Sequence, residues 1–266
     1  MQLALTNKES WMHGVNPSLK LLIMLFVFIG IMFIHNVDVI AYVTLLFLLV
    51  FLASIRYPVK IKMLLLLPFL FIFLTSSLAM IMFGKGDTTL FRFGLIHVTE
   101  ESFFRGVHLG MRSMVFAFCG LLFALTTKPV LLFYSLMQQG KLPPRFAYGF
   151  MAGVRLLPIM VEEYLTLRNA LLVRGVEQKK GVAALIYKIK LFSIPLLSQS
   201  IRRAHRVAVA MEAKRFSRQK ERTYYYSTGF SKKDIWCVAL FIGVFMIGFA
   251  AAYYLPMFSI TDVRYR

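Results

Sequence analysis

The sequence is short of acid, short of cysteine and empty of catalytic signatures. Only 12 of its 266 residues are Asp or Glu, against 31 Lys and Arg. No acidic cluster exists to hold a metal ion. The five histidines, His13, His35, His97, His108 and His205, are scattered and form no ligand pair across a helical turn. His-Glu-x-x-His and Gly-x-Ser-x-Gly are both missing. Two cysteines, Cys119 and Cys237, exclude a disulfide framework or a Cys-x2-Cys metal site. Both fall in apolar runs and read as small buried residues. Gly84-Lys85-Gly86 is no phosphate loop, because Ala79 stands where its first glycine belongs and Gly86 replaces its Ser/Thr. The chain is therefore expected to be no enzyme, to need no cofactor, and to take any ATP-derived energy from another subunit.

What the chain has is apolar surface. Hydrophobic residues make up 59% of it, and the mean hydropathy is +0.69. Soluble domains lie nearer 45–50% apolar, so the class is polytopic membrane protein. Apolar runs lie at 19–34, 39–55, 63–83, 103–127 and 235–255, which predicts about five spans. Lys20 interrupts the first and is expected to snorkel to the edge. The first run precedes no Ala-x-Ala cleavage site, so it should remain as a span. The fourth carries Arg105, His108 and Arg112 on one face. Arg112 lies deepest and is the intramembrane candidate, functional or paired to a carbonyl or carboxylate. Gly106-x3-Gly110 in the same run lets a neighbouring helix approach.

Between the fourth and fifth runs lies a long segment that is too charged to cross a bilayer. Residues 128–233 hold 20 of the 31 Lys/Arg and 5 of the 12 Asp/Glu, so they carry +15 of the net +19. Nucleic-acid binding is not expected, since no such motif accompanies the charge. Basic loops mark the cytoplasmic side and favour anionic lipid. Residues 56–62 are also basic, 35–38 hold no Lys or Arg, and 84–102 hold only Lys85 and Arg92. The expected topology has the N-terminus inside and the C-terminus outside, in the cell membrane.

Three helical patterns fill the charged segment. A short one covers 130–139. A long one opens at Pro143-Pro144, with an apolar stripe through Phe146, Phe150, Val154, Leu157, Val161, Tyr164 and Leu171. Another runs to about Phe216, with Ile186, Ile189, Leu196, Ala204, Val207 and Met211. Pro158 and Pro195 should bend them. Gly149-x3-Gly153 offers a close helix crossing. The fold expectation is all-α: transmembrane helices in 1–127, cytoplasmic helices in 128–233, and a last span with a tail in 234–266.

The two long helices end alike. One reads Ala170-Leu171-Leu172-Val173-Arg174-Gly175-Val176 and the other Ala210-Met211-Glu212-Ala213-Lys214-Arg215-Phe216. Their cations, Arg174 and Lys214, are 40 residues apart. A cation near a helix C-terminus and a glycine cap are common on their own. Two such ends on consecutive amphipathic helices suit a partner that is itself a two-fold dimer.

At these residues the chain resembles the transmembrane T component of energy-coupling-factor (ECF) transporters, a family with two X-Arg-X motifs at the ends of cytoplasmic coupling helices. Val173-Arg174-Gly175 departs from the frequent Ala-Arg-Gly at its first residue, and Ala213-Lys214-Arg215 at two. These departures suggest a divergent system. Asn16-Pro17-Ser18-Leu19-Lys20 is similar to the family's N-terminal opening, and Lys141-Leu142-Pro143 to its helix junction. The resemblance implies a coupling subunit of an ABC importer. It would join two ATPase subunits to a small membrane protein that captures a vitamin or a metal ion such as cobalt or nickel. A conventional permease half with its own translocation path, and a non-transport scaffold, stay open at this point. The substrate is not written in this chain.

Overall fold

The computed structural model describes residues 10–55, 57–84, 86, 88–93, 96–175, 181–214, 216, 224 and 226–258. Among them, a 3-10 turn at Trp11–Gly14 precedes α1 (Pro17–Phe33), α2 (Val37–Ser54) and α3 (Val59–Phe83). Two strands, β1 (Thr89–Phe93) and β2 (Ile96–Thr99), lead into α4 (Glu100–Thr126). Then come α5 (Pro129–Gln138), α6 (Pro144–Val173), α7 (Val182–Ala213) and α8 (Lys232–Tyr254). Among the described residues the all-α expectation holds except at the strand pair.

The apolar helices begin two to four residues before their apolar runs do. Their first turns are polar, and polar N-terminal turns are good helix starts. Asn16 caps α1 by accepting from the Ser18 N–H, and Pro17 fills the first helical position. Asn36 caps α2 through the Asp38 and Val39 N–H groups. Thr99 and Ser102 form a capping box on α4, with Glu100 and Glu101 in its first turn. Ser231 and Asp234 do the same on α8. Lys60 and Lys62, which the sequence places in a basic turn, belong to the start of α3.

Among the described residues, four helices, α2, α3, α4 and α8, are long and apolar enough to cross a membrane. With 17 residues, α1 is about 26 Å long, at the short limit for a core about 30 Å thick. The segment between α3 and α4 is not simply a polar loop. Thr89–Phe93 and Ile96–Thr99 pair antiparallel, with Arg92 opposite His97 and Phe93 opposite Ile96.

The chain divides into two compact units, residues 1–135 with 228–266, and residues 136–227. In the first unit α2 is central, with α4 on one side and α8 on the other. Its buried Ile40, Val43, Phe47 and Phe51 fall at helical spacing. Phe47 meets Phe241 of α8 at 5.8 Å between ring centroids, and Phe51 meets Phe118 of α4 at 5.8 Å. Cys119 and Cys237 are fully buried free thiols in this core. α3 packs chiefly on α4, across the Gly106-x3-Gly110 pair. A Cβ at Gly106 would stand 2.7 Å from the Ser77 carbonyl oxygen, and one at Gly110 2.8 Å from the Phe73 ring. Both lie under the closest approach of real Cβ atoms; at Gly106 the obstacle is backbone, whereas at Gly110 the Phe73 ring would have to shift.

In the second unit α6 and α7 pack on each other. Met160, Glu163 and Tyr164 form the α6 side of the contact. Arg203 pairs with Glu163, the Ser200 hydroxyl donates to the Leu196 carbonyl at 2.6 Å and lies 3.5 Å from the Met160 sulfur, and Phe192 meets Tyr164 at 5.1 Å. Pro158 and Pro195 lie inside continuous helices.

Candidate functional site

The α6–α7 contact uses little of the apolar stripes. Phe146, Phe150, Leu157 and Val161 of α6 are each about 60% exposed. Ile186, Ile189, Ile194, Leu197 and Ile201 of α7 are at least half exposed. Gly149 and Gly153 are exposed too, and a Cβ at either would meet nothing within 4 Å among the described residues. The glycine pair of α6 is therefore open, where that of α4 is filled.

The two helix ends share one geometry. Arg174 caps α6 with its N–H bonded to the Ala170 carbonyl at 3.1 Å. Lys214 caps α7 with its N–H bonded to the Ala210 carbonyl at 3.2 Å. Gly175 follows in the left-handed region, φ 69°, and its N–H reaches the Leu172 carbonyl. At the other end the Phe216 N–H reaches the Met211 carbonyl at 2.9 Å. These are the inner and outer bonds of the same C-terminal capping motif. Phe216 also sets its ring edge-on against Tyr148, 5.3 Å away. Val173, Arg174, Gly175, Ala213 and Lys214 are exposed, Val173 at 89%. Neither cation has a side-chain partner among the described residues. Arg215 and Val176 lie outside the described residues.

Arg112 is a half-buried residue of α4 whose Nη2 donates to the Ile34 carbonyl at 2.8 Å. Ile34 is the C-cap of α1. The guanidinium thus sits where free carbonyls and the helix dipole favour a cation. Nearby in the chain, Asp38 lies in the first turn of α2, is 1% exposed, and accepts from the Met257 and Phe258 N–H groups.

Lys20 does not snorkel. It is 2% exposed, and its Nζ donates to the Thr126 carbonyl at 3.0 Å and to the Thr126 hydroxyl at 3.3 Å. A buried ammonium is tolerable because the last carbonyl of α4 receives it. Beside it is a polar knot that the sequence reading missed. Asn16 Oδ1 accepts from the Ser135 hydroxyl at 2.6 Å and from the Ser18 hydroxyl at 3.0 Å. The Asn16 N–H donates to Asp234 Oδ1 at 2.7 Å, and its Nδ2 to the Gly229 carbonyl at 3.4 Å. Ser231-x-x-Asp234 is a capping pattern readable from sequence, whereas Ser135 carries no such signal.

These features, membrane helices plus a separate pair of long, cation-tipped amphipathic helices, match a family. The profile of the CbiQ family, described as cobalt transport protein, covers residues 8–225. The chain belongs to the CbiQ/EcfT family of transporter transmembrane components. It is 29% identical over 254 residues to the energy-coupling factor transporter transmembrane protein EcfT of Streptococcus equi, covering 90% of this chain and 92% of that one. It is 30% identical over 229 residues to EcfT of Streptococcus thermophilus, with 82% and 85% covered. It is 29% identical over 234 residues to EcfT of Bacillus subtilis, with 85% and 88% covered. These relatives are named as transporter components and not as enzymes. The chain is thus a multi-pass membrane component of an ECF-type transporter.

Proposed function

We propose that the chain is the coupling subunit of an ECF-type ABC importer. Two ATPase subunits would receive Arg174 and Lys214, one each, and a small membrane subunit would capture the vitamin or metal ion. Residues 128–233 form the coupling module, and 1–127 with 234–266 the membrane anchor, with α1 as the fifth span. ATP-driven closure of the ATPase pair would bring the two helix ends together, and α6 and α7 would carry that movement to the capture subunit. The observation behind this reading is the pair of equivalent, exposed cation caps on helices whose apolar faces are also exposed. Burying Phe146, Phe150, Leu157 and Val161 on a partner stabilises the complex by up to ~1.5–3 kcal/mol per side chain. Gly149 and Gly153 would let a helix of that partner come close.

Affinity purification from native membranes tests the reading. The expected outcome is recovery of both an ATPase pair and a separate small membrane subunit. An ATPase alone would indicate a permease half, and neither partner a scaffold. The basic segment further supports a cytoplasmic N-terminus. Cysteines at Asn36 and Asp87 should then label from outside, and one at Gln178 only after permeabilisation. External labelling at Gln178 would reverse the orientation.

A further inference from the structure

The second unit is inserted into the first, so the chain crosses between them twice. Ser135 is the last residue of the first unit before the insertion, and Thr228 the first after it. Within the first unit, a single side chain bonds beside both points. Asn16 accepts from the Ser135 hydroxyl through Oδ1 and donates to the Gly229 carbonyl through Nδ2. Its own N–H reaches Asp234, whose other oxygen takes the Ser231 N–H at 2.6 Å. The Ser18 N–H adds a second bond to the Ser135 hydroxyl at 3.2 Å. Asn16, Ser135 and Asp234 are all at most 5% exposed. Buried polar networks with every member bonded fix one geometry, because each lost bond leaves an orphaned group.

We infer that Asn16 is the positioning residue that ties the two points where the chain leaves and re-enters the first unit to each other and to α1, so that load arriving at either point reaches α1 and α8 through it. The inference rests on the coupling function proposed above. An amide fits the task chemically. It must accept on one atom and donate on another, and the two crossings present a hydroxyl to one and a carbonyl to the other. No other residue type of that length has both groups. The clamp also sits on the first turn of α1, and Lys20 one turn on ties the same helix to the end of α4. Pulling on either crossing therefore loads α1, α4 and α8 together rather than a loose linker.

The test uses the complex isolated with its own ATPase and capture subunits in lipid nanodiscs. Hydrogen exchange is compared with and without MgATP plus orthovanadate. In the unmodified complex, nucleotide trapping should change exchange in α6 and also in α1 and α8. In Asn16→Ala the α6 change should persist, while that in α1 and α8 falls at least about fivefold, the effect of one ordinary hydrogen bond. Ser135→Ala removes a single hydroxyl and should give a partial loss, which decides the matter if Asn16→Ala does not assemble. Phe47→Leu loosens the core without touching the clamp. It should raise overall exchange in the first unit and leave the nucleotide-dependent difference intact. An undiminished response of α1 and α8 in both clamp variants overturns the clamp, as does a response confined to α6 in the unmodified complex. No response at all in α6 would instead sink the coupling function itself.

Discussion

The chain carries two Gly-x3-Gly pairs, and they meet opposite fates. In α4, Gly106 and Gly110 lie against the Ser77 carbonyl and the Phe73 ring of α3 with no room for a Cβ. In α6, Gly149 and Gly153 have nothing within 4 Å among the described residues. The surrounding surfaces follow suit. α2, α4 and α8 bury Phe47, Phe51, Phe118 and Phe241 on one another. The apolar stripes of α6 and α7 stay largely exposed. The same sequence device is packed in one region and, among the described residues, unpacked in the other.

The contrast is sharpest under substitution of the glycines. Gly106→Leu drives a side chain into backbone that cannot yield, at a cost of about 3 kcal/mol. Thermal unfolding of the purified chain in detergent should show a clear fall in Tm. Next in size is Arg112→Leu, which deletes a charge-assisted bond to the C-cap of α1 and costs about 1.5 kcal/mol because the guanidinium is only half buried. The same melting experiment reads it, and an unchanged Tm would mean that the carbonyl contact contributes nothing. Gly153→Leu should leave the Tm of the isolated chain where it was, yet weaken recovery of the capture subunit by about tenfold, ~1.4 kcal/mol. If it instead lowers the Tm as Gly106→Leu does, α6 is already packed within the chain and the comparison fails.

The two glycine pairs read alike in the sequence, and the limits of what it showed were physical. Hydropathy located the apolar helices but began each late, because Lys60, Glu100 and Lys232 lower the score while favouring or tolerating a helix start. Span counting also hid the hairpin. Leu90-Phe91-Arg92-Phe93 and Ile96-His97-Val98-Thr99, separated by Gly94-Leu95, carry a strand-turn-strand signal. The helix caps at Arg174 and Lys214 were readable because capping is a local affair. The Asn16 knot was not, since it joins residues 119 and 218 positions apart through Ser135 and Asp234. Lys20 was misjudged for the same reason. Its acceptor is a backbone carbonyl 106 residues away, and no composition rule reveals a distant carbonyl.

The central claim, that the two capped helix ends are the docking points, is tested most directly by alanine substitution at the tips. Arg174→Ala, Lys214→Ala and Arg215→Ala would each be purified from membranes and scored for retained ATPase subunits. A docked charge losing its partner costs roughly 3–5 kcal/mol, and the planar guanidinium makes two bonds where an ammonium presents one point charge. The expected result is near-complete loss of the ATPase pair with Arg174→Ala, a smaller loss with Lys214→Ala, and little change with Arg215→Ala. Loss with Arg215→Ala but not with Lys214→Ala would shift the second docking residue by one position. Full retention in all three variants would contradict the account.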